Sequence, residues 1–167
     1  DMGVYERVDG KEIDGRGVWQ AVGGIGFFLY YYSSKKRWMV SDRESMEAGD
    51  GESFMLANST AATPDQITEQ WRVGDSTGWQ NSPKLRVRVC SSVEKHAAEQ
   101  RAEQEQVQAL EQAQQSRQLV FEGLTNDQYH LMGVYQLMEG KVVNGRAVWQ
   151  KQGGDEELFL YCANIYR

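Results

Sequence analysis

The chain has 167 residues, 40% of them hydrophobic and 11% aromatic, with a formal net charge of −6. This composition suits a chain that buries a core, and the length sets one or two domains as the expected organisation. The negative charge disfavours a nucleic-acid partner, which needs a basic surface, and no apolar run nears the roughly 18–20 residues that cross a bilayer as a helix.

In chain order, residues 4–8 predict a first strand, followed by the turn signals Asp9-Gly10 and Asp14-Gly15. Asp-Gly and Asn-Gly supply the positive φ angles that tight hairpin turns require. Residues 17–22 predict a second strand with Val18 and Gln20 on one face and Trp19 and Ala21 on the other. Gly23-Gly24 turns the chain into a strand at 27–32, the polar turn 33–36 follows, and 37–41 is a strand centred on Trp38 and Val40. The acidic stretch 42–52 reads as a loop, and 53–58 as a short strand. Thr63-Pro64-Asp65-Gln66 has the form of a helix start, with Thr at the N-cap and Pro at the first position. Strand character resumes at 71–73, and Asp75 to Gly78 is a turn. The alternation of Leu85, Val87 and Val89 with Lys84, Arg86 and Arg88 predicts a half-exposed antiparallel strand.

Composition changes abruptly at Ser91. Ser91-Ser92 with Glu94 forms a capping box, and 93 to about 118 is rich in Gln, Glu and Ala with no Gly or Pro. The thin apolar stripe predicts one solvent-exposed helix, a spacer or one side of a weak coiled coil rather than a core element. A strand is expected at 119–124, and 125–130 is a polar connection.

The opening block then returns. Residues 1–24 and 131–154 match at 13 of 24 positions without a gap, and Phe28-Leu29-Tyr30 continues as Phe159-Leu160-Tyr161. Internal self-similarity of this kind fixes the layout. The expected organisation is a complete antiparallel β module at 1–90, a helical spacer and connector at 91–130, and the first part of a second copy at 131–167. The expected fold class is therefore mainly β with one long helix. The second copy supplies about three strands, a marginal unit in water. Tyr135, Val148, Trp149, Phe159, Leu160 and Tyr161 are expected to form an apolar face that missing sequence or a neighbouring chain completes. The chain opens at Asp1 with neither an initiator Met nor a signal peptide, as expected of a fragment or processed product.

Chemistry-bearing constellations are scarce. His96 lies in the polar helix and His130 in the connector, outside the repeated block, and no Ser-His-Asp or Cys-His spacing accompanies them. Gly23-Gly24-Ile25-Gly26 opens no helix, so it reads as a hairpin turn rather than a phosphate loop; its counterpart Gly153-Gly154-Asp155-Glu156 is acidic. The acidic residues Asp42, Glu44, Glu47, Asp50 and Glu52 lack the regular spacing of a calcium loop and read as a solvated loop. Lys35-Lys36-Arg37 reads as a solvated hairpin tip. Cys90 and Cys162 make neither a disulfide framework nor a zinc site, and are expected as free, semi-buried thiols. No cofactor, metal or catalytic set is expected, and the expected activity is non-enzymatic.

The aromatics carry the strongest functional signal. Trp19, Trp38 and Trp71 have the core as their default place, yet aromatics left on a β surface suit sugar stacking or a protein hot spot. The Arg that recurs beside the turn suits either a cation–π lock on the hairpin or a ligand contact. The candidate binding surface is Arg16, Trp19, Tyr31, Trp38, Arg146 and Trp149. The expected partner is a protein or a glycan, with self-association or assembly with neighbouring chains. A linker or accessory subunit of a larger assembly, its partial repeat completed by a neighbour, is one alternative, and an enzyme is the other.

The pattern Gly-x-Tyr, Asn/Asp-Gly-Arg-x-Val-Trp-Gln, Leu-Tyr-Tyr, Trp-Met-Val, Thr-Pro-Asp-Gln with Trp71 and Trp79, and Pro83-Lys-Leu-Arg-Val-Arg88 is similar to repeats in multi-module proteins of algae and other protists. It covers 1–90 fully and 131–167 in part. The resemblance implies a tandem non-catalytic module and transfers no site residues.

Overall fold

A computed structural model describes residues 3–23, 26–123, 129–154 and 157–163. The Gly24-Ile25 and Asp155-Glu156 halves of the two glycine turns, most of the 125–130 connection and the last four residues lie outside the described residues. The fold is mainly antiparallel β with one long helix, in two compact units, Asp1–Glu99 and Gln100–Arg167.

Unit 1 is a seven-stranded antiparallel meander in sequence order: β1 (Tyr5–Ile13), β2 (Arg16–Ala21), β3 (Phe28–Tyr32), β4 (Arg37–Ser41), β5 (Met55–Ala57), β6 (Trp71–Asp75) and β7 (Gly78–Ser82). Asp9-Gly10 does not turn the chain. Gly10, at φ 68°, instead opens a bulge inside β1, where the register with β2 shifts between Arg7 and Glu12. The turn falls at Asp14-Gly15, whose φ values of 53° and 73° give a type I′ hairpin.

Four of the five residues of β3 are buried because both faces of the sheet are covered. Val18, Phe28, Tyr30, Met39, Met46 and Leu56 form one cluster; Leu29, Tyr31, Trp38, Val40, Ala57 and Trp71 form the other. Strand alternation assigns all of these except Met46, and each fully buried large side chain contributes about 1.5–3 kcal/mol. The same burial pushes the phenol of Tyr30 up to about 12.

Three expectations change here. The acidic stretch is not a loop but carries helix α1 (Arg43–Ala48). Asp42 Oδ1 accepts from Ser45 N at 2.8 Å, Gly49 at φ 64° closes the far end, and Met46 anchors the helix in the first cluster. Thr63 makes no side-chain cap, and Pro64–Gln66 is a single 3₁₀ turn. Leu85 and Val87 alternate with exposed neighbours as expected, but Val89 is exposed and residues 84–89 join no ladder. Leu85 and Val87 pack against the second cluster, while the Arg86 guanidinium takes the carbonyls of Pro83 and Leu85 at 2.7 and 2.8 Å. Alternation reports side-chain burial, and burial against a sheet face produces it as well as pairing does.

Helix α2 (Ser92–Gln115) starts as the capping box predicts. Glu94 N donates to Ser91 Oγ at 3.3 Å, and Ser91 N donates to Glu94 Oε2 at 2.9 Å. Arg88 pairs with the same carboxylate, and this bond, followed by those from Ser91, holds it down to about 2. A depressed folded pKa contributes stability above the ordinary value of 4.5 that is lost as pH falls towards 2. An NMR titration of the Glu94 carboxyl should therefore inflect near 2, and Arg88→Ala should move the inflection back towards 4.5.

The last turns of α2 are not a spacer. Ala113 is buried with Leu137 and Ala147, and Leu110 and Trp149 pack on the same cluster. The sheet of unit 2 runs β11 (Phe159–Leu160), β10 (Arg146–Lys151), β9 (Gly133–Val143), β8 (Gln118–Phe121), all antiparallel. The expected strand after the helix is thus present, and it pairs outside β9. Tyr135 and Val148 are buried within the unit, contrary to the expected exposed face.

Candidate functional site

The two hairpins pair in one register. Arg7, Glu6 and Tyr5 face Trp19, Gln20 and Ala21; Leu137, Gln136 and Tyr135 face Trp149, Gln150 and Lys151. Trp19 faces Leu29, and Trp149 faces Leu160. Asn144-Gly145 repeats the turn angles at 52° and 71°. Even a surface cation–π contact recurs: Lys11 Nζ lies 5.5 Å from the Phe28 ring, and Lys141 Nζ 4.6 Å from the Phe159 ring.

On this common frame the equivalent arginines have opposite surroundings. Arg16 is half-buried. Its guanidinium lies 3.5 Å from the centre of the Tyr31 ring and donates to the carbonyls of Ala61 at 2.6 Å and Thr60 at 2.9 Å. Trp38 Nε1 donates to the same Ala61 carbonyl at 3.0 Å. Trp38 in turn meets Trp19 and Tyr31 edge-on, at 5.7 and 5.6 Å. Trp38 and Tyr31 therefore belong to the core and offer solvent no face, so they drop out of the expected binding surface. Arg16 serves as a clamp on the loop after β5, through charge-assisted bonds and stacking.

Arg146 is exposed. It edges an open cavity of about 410 Å³ that Ala113, Ser116, Leu119, Trp149 and Cys162 help to line. Trp149, half-buried, donates its indole N–H to Ser116 O at 2.9 Å, just past the end of α2. The face that in unit 1 holds a loop thus holds the end of a helix in unit 2. The repeat already marks the change: Leu137 and Ala147, which take the helix, stand where unit 1 has Arg7 and Gly17. Arg7 Nε sits 2.9 Å from where a Cβ on Gly17 would lie, so the guanidinium fills the helix-docking position.

The remaining expected positions are plain. Cys90 is half-buried and Cys162 is exposed rather than semi-buried; neither is bonded. His96 is exposed beside Glu99 at 3.8 Å. Arg37 is fixed to the Gly51 carbonyl at 3.1 Å, while Lys35 and Lys36 are exposed. Of the acidic stretch, Asp42 caps α1, Glu47 pairs with Arg43 and Lys11, and Asp50 accepts from Glu52 N. Among the described residues no three His, Cys, Asp or Glu side chains group closely enough to hold a metal ion. No helix among them is long and apolar enough to cross a membrane.

Fold and surfaces define a two-unit antiparallel β protein built twice on one hairpin plan. Comparison of the chain with family models, curated proteins and solved structures finds no match.

Proposed function

We propose that this chain is a non-catalytic interaction module that joins protein chains of its own kind, with the open side of unit 2 as the contact surface. One observation carries the reading. Phe159 and Tyr161 are 37% and 52% exposed, whereas Phe28 and Tyr30, their equivalents by the repeat, are each 1% exposed. In unit 1, β4 pairs outside β3 and the Met39 and Met46 side chains pack with Phe28 and Tyr30. In unit 2 no described strand lies outside β11. An apolar edge strand is a template for another chain. Arg146, placed like Arg16, adds a donor suited to backbone carbonyls. The likeness to repeats of multi-module algal and protist proteins fits this reading, and so does a place as an accessory subunit of a larger assembly.

Sedimentation velocity over a wide concentration range tests it. The expected result is concentration-dependent association that Phe159→Ser with Tyr161→Ser weakens by about tenfold or more. A chain that stays monomeric throughout, or one that instead binds glycans through the exposed Trp79, overturns the proposal.

A further inference from the structure

Unit 2 displays an interaction that unit 1 is shaped to accept and does not make with any described strand. Residues 133–136 of β9 pair outward with β8: Gly133 faces Phe121, Val134 faces Val120, Tyr135 faces Leu119 and Gln136 faces Gln118. The equivalent residues 3–6, at the start of β1, lie at the outer edge of the seven-stranded sheet.

The two edges present the same backbone. Val22 N donates to Val4 O at 2.8 Å, and Gln152 N donates to Val134 O at 2.8 Å. Antiparallel ladders alternate the direction of backbone groups, so with Val4 turned inward, Tyr5 and Arg7 turn theirs outward. Their equivalents Tyr135 and Leu137 do the same, and Leu137 N donates outward to Arg117 O at 2.8 Å. The side-chain features also recur. Phe121 meets Tyr135 edge-on at 5.2 Å and lies opposite Gly133, where a Cβ would meet Lys151 Cε at 3.3 Å. Unit 1 repeats both partners as Tyr5 and Gly3, and a Cβ on Gly3 would meet nothing within 4 Å. Gln136 accepts from Gln118 Nε2 at 2.9 Å; Glu6 stands in its place, where Oε1 takes Lys95 Nζ and Oε2 is left as the acceptor.

We infer that the edge of β1 at residues 3–7 is a strand acceptor, and that its occupant is an extended segment of a partner protein with the β8 pattern: a side-chain amide donor, then Leu, Val and an aromatic. The recognition is β-strand addition, in which main-chain bonds give affinity and alternate side chains give specificity. The aromatic covers Gly3 and Tyr5 as Phe121 covers Gly133 and Tyr135. The segment arrives without a docked helix, because Arg7 over Gly17 occupies the place that Leu110 and Ala113 take in unit 2. The site is distinct from the open side of unit 2. The two proposals therefore fail separately, one in the peptide experiment below and the other in sedimentation.

The probe is a capped peptide of residues 116–123 added to the full isotope-labelled chain, read by amide shifts and hydrogen exchange. Without peptide, the Tyr5 and Arg7 amides are expected to exchange fast. At millimolar peptide they should shift, and exchange should slow by about tenfold or more. A peptide carrying Phe121→Ser, or one methylated on the Leu119 nitrogen, should bind at least about tenfold more weakly, with no change to the protein's own folding. Three results would each overturn the inference: slow exchange at Tyr5 and Arg7 in the chain alone, perturbation confined to residues 133–137, or equal binding of the altered peptides.

Discussion

Trp38→Ala is expected to remove most of the stability of unit 1, about 4–6 kcal/mol. Trp38 is 0% exposed, and its ring is the meeting point of Trp19, Tyr31 and the loop after β5. Truncating a buried aromatic costs about 3–5 kcal/mol in lost transfer and cavity terms, and leaving the Ala61 carbonyl one donor short adds about 1 kcal/mol. Domains of this size hold only about 5–15 kcal/mol in total. Residue-resolved hydrogen exchange under increasing urea should show protection in β2 to β5 collapsing, while protection in β9 and β10 survives. Trp38→Phe should recover part of the loss, because it refills the volume without restoring the N–H donor.

The second large effect is a contrast between two substitutions that the repeat makes look alike. Arg16→Ala should cost about 2–4 kcal/mol in unit 1. It removes two bonds from a cationic donor and a guanidinium stacked on an aromatic ring, and it leaves the Thr60 carbonyl without this donor. Arg146→Ala should change the stability of unit 2 by no more than about 0.5 kcal/mol, since Arg146 is exposed and makes no hydrogen bond or ion pair among the described residues. Arg16→Lys should fall between, because a point charge cannot bond two carbonyls and stack at once. Urea midpoints for the two units, followed through amides in β2 and β10, measure the contrast. Equal losses in both units would show that the arginine acts within its own hairpin rather than through the loop it clamps. Arg146→Ala should instead weaken association, the one property for which its exposure leaves it available.

Several features were legible because they are local. The capping box at Ser91 and Glu94 formed as written, since its partners are three residues apart and need nothing else. The alternation at 84–89 misled for the opposite reason: it marks the covered Leu85 and Val87 but also the exposed Val89, and is silent on whether the backbone pairs. The acidic stretch 42–52 hid α1 because its charges outweigh one buried Met46 in any reading of composition. Its cap, Asp42 with Gly49 beyond the end, was visible in the letters all the same. The thin stripe of α2 concealed its docking because Ala113 buries little surface of its own. What seats it is the pair Leu137 and Ala147, far along the chain.

The sequence by itself determined the two hairpins, their turns and their shared register. Asp14-Gly15 and Asn144-Gly145 supply the turn, Asp9-Gly10 with the same letters becomes a bulge that shifts the register, and Val18 and Val148 both lie inward. Tertiary structure alone decided what the repeated residues do. Arg16 and Arg146, and Phe28 and Phe159, are identical pairs in equivalent places. One of each pair is covered and the other exposed, because cover comes from β4, α1 and the 60–61 loop in one unit, and from α2 and β8 in the other. Burial is a property of the neighbours, and the neighbours are set by chain segments that the repeat does not share.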